Sequence, residues 1–315
     1  MTGRDPAVAL DPRLRGGDKL GFGAQARMLP DGHRLHLQHG PIDLIIQAWG
    51  DRDEVRRAYA QATARFADIL ETLVAELPLL RSAVAEQPRG SVARCMHAAV
   101  WPYRGVFITP MAAVAGAVAD EVLAAMIAGR ALARAYVNNG GDIAIHLAPG
   151  ETLRLGVVGD IDNPAIDATA TIDHDMPVRG IATSGWSGRS FSLGVADAAT
   201  IFAADGAAAD AAATIVANAV NADHPAIVRA PANSIDPDSD LGARPVTTQV
   251  GALDDATIAA ALDGGVAEAE RLMRAGLIVA AMLVLQGHIR TVGRPSWTTR
   301  ALRYKPPRPG ISAPS

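Results

Sequence analysis

His33-Arg34-Leu35-His36-Leu37-Gln38-His39-Gly40-Pro41-Ile42-Asp43-Leu44-Ile45-Ile46-Gln47-Ala48-Trp49 is the stretch on which the fold turns. Apolar residues recur on both sides of Gly40-Pro41, which predicts two short strands joined by a tight turn. Directly after it, Val55, Tyr59, Ala62, Phe66, Ile69, Leu70, Leu73 and Leu77 fall at helical spacing. They predict one amphipathic helix over Asp51 to Glu76, ended near Pro78. Strand pairs mixed with separated helices mark an α+β chain, whereas a βαβ repeat would alternate single strands with helices.

The rest of the chain extends this pattern. An Ala-rich, largely buried helix is expected over Ala112 to Tyr136, running into the turn Asn138-Asn139-Gly140-Gly141. Strands are expected at Ile143–Leu147, Leu153–Val158 and Val178–Thr183, and a second Ala-rich helix over Ala207 to Val220. A polar loop from Pro231 to Pro245, a helix from Asp255 to Arg274 and an apolar strand from Leu277 to Leu285 follow. Residues 1–27, with Asp11-Pro12-Arg13-Leu14-Arg15-Gly16-Gly17-Asp18-Lys19, show no periodicity and are expected to be a disordered extension, with the true start near Met28. Residues 294–315, with Pro295, Pro306, Pro307 and Pro309, are expected to be a disordered tail, leaving 28–293 as a single domain.

Composition bounds the function. The 315 residues suffice for a large core, and 49% hydrophobic with 20% charged residues is ordinary for a globular protein. Only 4% are aromatic, so Ala, Val, Ile and Leu must fill the interior. A net charge of −4 gives no reason to expect a nucleic-acid partner. The one cysteine, Cys95, excludes an intramolecular disulfide and a cysteine-rich zinc site. No export signal is visible, the apolar run Leu277–Leu285 is too short for a bilayer, and the Ala-rich segment from Met111 carries Asp120 and Glu121. The expectation is a soluble, cytoplasmic protein with no membrane partner.

Several groups carry chemistry. Asp210 and Thr214 sit one helical turn apart among alanines, so carboxylate and hydroxyl share a face. Hard oxygen ligands of this kind suit Mg²⁺ or Ca²⁺, while the same spacing also describes a plain polar spot on a helix. Asn138, Gly140, Gly141 and Asp142 can bring a ligand close to backbone N–H groups, or can simply cap a helix and turn. Gly180-Ile181-Ala182-Thr183-Ser184-Gly185-Trp186-Ser187-Gly188-Arg189 is the richest polar loop. Thr183, Ser184, Gly185 and Ser187 offer donors to phosphate oxygens, with Arg189 as a charged fork. The loop lacks the Gly-Lys-Ser/Thr of a P-loop and the spacing of a hydrolase elbow. Asp236, Asp238 and Asp240 begin like an EF-hand but continue with Leu241 and Thr247, so a solvated loop with Asx-turns is expected. Cys95 and His97 would share one face of a strand, which invites a thiol-nucleophile reading, but a buried Cys beside an incidental His is expected instead, with His33, His36 and His39 on the surface.

Taken in order, these segments resemble the ApbE family, flavin transferases that attach FMN from FAD to a Thr or Ser of a target protein. The motifs that carry the resemblance are Ala112-Ala113-Val114-Ala115-Gly116-Ala117-Val118-Ala119-Asp120, Asn138 to Asp142, Ser184-Gly185 and Ala209 to Thr214. The divergent UPF0280 group of ApbE-like proteins is similar over most of the chain, including Phe107 to Gly116 and the Gly180 to Arg189 loop. The resemblance implies a T-fold-related α+β architecture, with antiparallel sheets covered by helices. It also implies that Asp210 and Thr214 hold Mg²⁺ with a backbone carbonyl near Val114, and that Gly116 lies at the ligand.

Ala115 and Ala117 stand where the family has Lys and Tyr. Phe191-Ser192-Leu193-Gly194-Val195-Ala196-Asp197 stands where it has a His-containing segment, and no histidine lies between His174 and His224. The expectation is a protein that binds a small phosphorylated ligand, FAD or FMN, with a divalent metal. Asp120, Ser184 and Arg189 are its catalytic candidates if transfer persists, although Asp120 would equally serve as a cap within a helix bundle. The alternative is a non-catalytic binding or assembly partner of a redox enzyme. A homodimer is compatible with either.

Overall fold

The computed structural model describes residues 23–83, 86–157, 168–293 and 296–299. Strands β1 (Gln25–Met28), β2 (Leu35–His39) and β3 (Ile42–Gly50) lead into helices α1 (Arg52–Phe66), α2 (Ile69–Ala75), α3 (Leu77–Leu80) and α4 (Ser91–Val100). A 3-10 turn at Pro110–Ala113 runs into α5 (Val114–Ile127). Then come β4 (Leu132–Asn139), β5 (Asp142–Leu147), β6 (Thr152–Val157), β7 (Ala168–Asp173), β8 (Gly180–Ser184), β9 (Ala198–Ala203) and α6 (Gly206–Ala219). The order ends with β10 (Ile227–Pro231), α7 (Ala232–Ile235), β11 (Pro245–Val250), α8 (Asp255–Arg274), β12 (Ala280–Leu285), β13 (His288–Val292) and β14 (Ser296–Thr299).

A nine-stranded sheet in the order β1-β2-β3-β4-β5-β8-β9-β12-β13 is the frame. Every neighbouring pair in it is antiparallel. The chain is therefore α+β with antiparallel sheets. Side chains alternate across the central strands, and both faces are buried. Ala135, Val137, Ala144, Ala182, Ala199, Ile201 and Ala203 face the helices. Tyr136, Ile143, Ile145, Ile181 and Phe202 face the small β14-β7-β6 sheet and pack on Leu153, Leu155 and Ile172.

The helix-facing side is mostly alanine, which lets α5 lie close on β4 and β5, and α6 on β8 and β9. At the crossing of these helices a Cβ on residue 116 would lie 2.1 Å from the Gly206 carbonyl oxygen. Only glycine allows that approach. Pro110–Ile127 spans 18 residues with mean hydropathy 1.6, enough by length and composition to cross a bilayer, and half of it is buried within the fold.

Several expectations are corrected. The helix expected over Asp51–Glu76 is two helices, broken where Asp68 leaves helical geometry and pairs with Arg65 at 2.7 Å. The helix expected over Ala112–Tyr136 ends at Ile127; Gly129 turns the chain at φ +65° and Leu132 to Asn139 is a strand. The ordered fold starts before residue 28, since Gln25–Met28 pairs with β2, and Ser296–Thr299 of the expected tail pairs with β7. The remainder of those two segments, residues 1–22 and 300–315, lies outside the described residues, as do Arg294, Pro295 and Val158.

Candidate functional site

The first turns of α5 and α6 meet, and each helix carries an aspartate that caps the other. Asp120, on α5, accepts from the Gly206 N–H at 2.9 Å and the Ala207 N–H at 2.8 Å. Asp205 takes the Ala208 N–H at 2.7 Å with its side chain and the Ala209 N–H at 3.1 Å with its carbonyl. Every donor at the α6 N-terminus is thus engaged, so that helix end offers nothing to a phosphate. In return Asp210, on α6, accepts from the Gly116 N–H at 3.0 Å. Capping is the role the structure gives Asp120, and Gly116 serves the helix crossing and Asp210.

Asn138 to Asp142 is a strand-to-strand hairpin, not the end of a helix. Asn139 pairs with Asp142, and the two central residues, Gly140 and Gly141, both have positive φ, as a primed two-residue turn requires. The Gly141 N–H is taken by the Asn138 side chain at 2.8 Å, which makes Asn138 a support of the turn. Asn139, which sequence reasoning passed over, points to the helices and donates to the Ala115 carbonyl at 3.1 Å. It locks the turn to the start of α5. Strand alternation puts Asp142 on the same helix-facing side, two residues from Ala144. Its carboxylate takes the Thr183 N–H at 3.3 Å and reaches the neighbourhood of Asp210, whose ionisation it opposes.

The Gly180–Arg189 segment divides. Thr183 lies on the opposite face, beside Ile181, and its hydroxyl pairs with that of Thr200 at 2.9 Å. It gives the site its N–H and not its side chain. Ser184, the next residue, is half-buried on the helix-facing side with Ala182, and the β5–β8 register sets it beside the hairpin turn. Gly185 is where the loop crosses backbone, for a Cβ there would lie 2.2 Å from the Asp197 carbonyl oxygen. Trp186 is anchored by its indole N–H to Asp197 at 3.0 Å. Ser187 stands exposed at the tip, and Arg189 folds back over Gly140.

Burial pushes the Asp142 carboxyl up to about 7 against the pull of Arg189, and pushes Asp120 up to about 7. Asp210 is held well above the usual carboxylate range, first by burial and then by the Asp142 charge. Two carboxylates that oppose each other's ionisation in a desolvated place are what a cation would relieve. Thr214, one turn beyond Asp210, is half-buried and its hydroxyl takes no hydrogen bond among the described residues. The donors are thus two carboxylates and a hydroxyl, an oxygen set suited to Mg²⁺. No cluster of three or more His, Cys, Asp or Glu suited to a metal occurs among the described residues.

Other expectations fail on local geometry. Cys95 and His97 lie on helix α4, where residues two apart do not share a face. The Cys95 thiol is pushed up to about 12, chiefly by burial, which disfavours the thiolate a nucleophile needs. His36 and His39 are buried, not surface residues. Arg27 donates to His36 Nδ1 at 2.9 Å, which leaves Nε2 to donate to Asp43 at 2.9 Å. In the acidic loop Asp236 does form an Asx-turn, accepting from the Asp238 N–H at 3.0 Å, while Asp240 accepts from the Thr109 hydroxyl.

A family model described as AbpE bacteria matches residues 26–291. A UPF0280 protein of Methanosphaerula palustris is 39% identical over 102 residues, covering 32% of this chain and 42% of that protein. A UPF0280 protein of Methanothrix thermoacetophila is 38% identical over 137 residues, covering 43% of this chain and 55% of the relative. The chain spans about half the length of the curated relatives it matches.

Proposed function

The chain belongs to the AbpE bacteria family, with UPF0280 proteins among its relatives, and on that premise we propose that it binds a diphosphate-bearing ligand around a divalent cation. FAD is the ligand we put first, and the antiparallel sheet with helices laid on it is read as T-fold-related. The observation that carries the reading is the meeting of Asp142 and Asp210 from separate elements, with the Thr214 hydroxyl, which has no partner among the described residues, one turn along α6. A divalent cation there supplies charge neutralisation and Lewis-acid polarisation of a phosphoryl oxygen. Asp210 and Thr214 would hold it, and Arg189 would take phosphate oxygens with its fork of donors. Ser184 would add a hydroxyl from the end of β8. Asn139 fixes the hairpin against α5, so the carboxylates are set before any ligand arrives.

Phosphoryl or flavin transfer is one form of this activity. The second reading, ligand binding without turnover in the service of a redox enzyme, is favoured by two particulars. Ala117 is fully buried where the resemblance to the flavin transferases implies a Tyr, and no histidine follows the Ser184-Gly185 pair before His224. Titration calorimetry of FAD into the protein, with Mg²⁺ and then with EDTA, tests the common core of both. Metal-dependent binding that Asp210→Asn abolishes is expected; absence of binding in both conditions refutes the proposal. FAD conversion to FMN and AMP separates the transferase from the non-catalytic reading.

A further inference from the structure

Asp210, Thr214 and Asn218 stand one turn apart along α6. From the first to the last is about 12 Å along the axis, the separation of a phosphate from the far edge of its ring in a nucleotide-sized ligand. Asn218 is held in one orientation by the segment that faces it. Its Oδ1 accepts from the Leu193 N–H at 2.9 Å and from the Ser192 hydroxyl at 3.2 Å. The Ser192 oxygen in turn accepts from the Gly194 N–H at 3.1 Å. A backbone N–H can be met only by the amide oxygen, so the Asn218 amide cannot flip. The segment itself is pressed onto the helix. A Cβ on residue 194 would lie 2.1 Å from the Ala217 carbonyl oxygen, and the Val195 N–H donates to the Val220 carbonyl at 2.8 Å. With its acceptor spent, the half-buried Asn218 offers two Nδ2 hydrogens, and neither has a partner among the described residues. Thr247, whose N–H donates to the Ser192 carbonyl at 2.9 Å, adds a buried hydroxyl that is also without a partner among the described residues.

We propose that Asn218 recognises a carbonyl oxygen on the ligand's ring, and so selects rings edged with carbonyls over rings edged with an amino group. This rests on a cation and phosphate at Asp210 and Thr214, as proposed above, and adds which end of the ligand follows α6. An amide with only donors left matches the pyrimidinedione edge of a flavin, where two carbonyl oxygens accept. Adenine would set its 6-amino donor against the Asn218 donors, and one or the other would go unpaired. In FAD it is therefore the flavin half, and not the adenosine half, that lies along α6. Ser192, Leu193 and Gly194 are positioning residues, fixing the amide that touches the ring.

The test compares inosine diphosphate with ADP by titration calorimetry in Mg²⁺, with inorganic pyrophosphate as the control. The two nucleotides share phosphates, ribose and ring shape, and differ at one ring edge, a C6 carbonyl in the first and a C6 amino group in the second. Wild-type protein should bind inosine diphosphate about 10- to 100-fold more tightly than ADP. Asn218→Asp keeps one oxygen for the Leu193 N–H and the Ser192 hydroxyl, and turns the other position from donor to acceptor. The preference should then reverse, with pyrophosphate still bound. A damaged fold would weaken both nucleotides alike and would not reverse their order. Equal affinities in the wild-type protein, or pyrophosphate bound with neither nucleotide, overturn the inference and leave the cation site standing, as does a preference that survives Asn218→Asp. Should that variant fail to fold, the wild-type comparison decides alone. Wild-type protein that binds no pyrophosphate in Mg²⁺ overturns the cation reading and the role of Asn218 with it.

Discussion

Replacing Asp120 by asparagine should flatten the pH dependence of stability. The native carboxylate receives the Gly206 and Ala207 N–H groups at 2.9 and 2.8 Å, but burial lifts it from 3.8 to about 7. A folded pKa above the unfolded one means the native state holds the proton longer. The group's stabilising contribution is therefore fully present below 3.8 and is lost as pH rises through about 7. Inside that window one such group tilts unfolding free energy by about −1.4 kcal/mol per pH unit, so the full excursion is about 4 kcal/mol. The asparagine side chain keeps one acceptor and turns an amide toward the second N–H, which costs about 1–3 kcal/mol at pH 4.5. At pH 8 that deficit should shrink or reverse, because the variant no longer carries a desolvated charge. Urea unfolding followed by far-UV circular dichroism at half-unit steps from pH 4 to 8 measures both slopes. Asp142 and Asp210 add tilt of the same sign to both proteins, so only the difference is diagnostic. Parallel curves for the two proteins would show that Asp120 is not a desolvated cap, and the argument would fall.

Gly116→Ala should cost about 1–3 kcal/mol or more, because its Cβ would meet the Gly206 carbonyl at 2.1 Å with backbone on both sides; a melting temperature unchanged from wild type would contradict the crossing. The Cys95 thiol should resist a disulfide reagent at pH 8 in the native protein and react at once in urea, since burial holds it up to about 12; rapid native labelling would refute that environment. Mg²⁺ should raise the melting temperature more at pH 8 than at pH 5, because protons compete for Asp142 and Asp210 as pH falls, and Asp210→Asn should abolish the shift. An equal Mg²⁺ effect at both pH values would argue for a site elsewhere.

Periodicity was legible where it was pure. The β2–β3 hairpin, α6 within a residue, and both ends of α8 follow from apolar spacing and from Asp254, whose side chain caps the Thr257 N–H. It was not legible where alanine dominates. Ala131 to Ala135 continues the composition of α5, so one turning glycine, Gly129, was the whole signal separating helix from strand. Strand β9, Ala198–Ala203, is buried on both faces and shows no alternation to read. The same limit explains the site. Asp142, Asp210, Gly140 and Arg189 were found as motifs, but which face each one takes depends on register. A shift of one residue separates Ser184, which faces the helices, from Thr183, whose hydroxyl is tied to Thr200. Asn139 carries no signal of its own for that reason, and His36 and His39 are buried because a further strand, β1, precedes them in the ordered sheet.

The exchange of caps between α5 and α6 has a consequence for how the molecule breathes. Neither helix start can open alone, because loosening α5 carries Asp120 away from Gly206 and Ala207, and loosening α6 carries Asp210 away from Gly116. The amides of Gly116, Gly206 and Ala207 should therefore exchange with solvent deuterium at one common rate, despite lying far apart in the chain. A cation held by Asp210 would slow all three together, so a ligand in the α6 corner would be felt at the foot of α5 without any displacement of either helix.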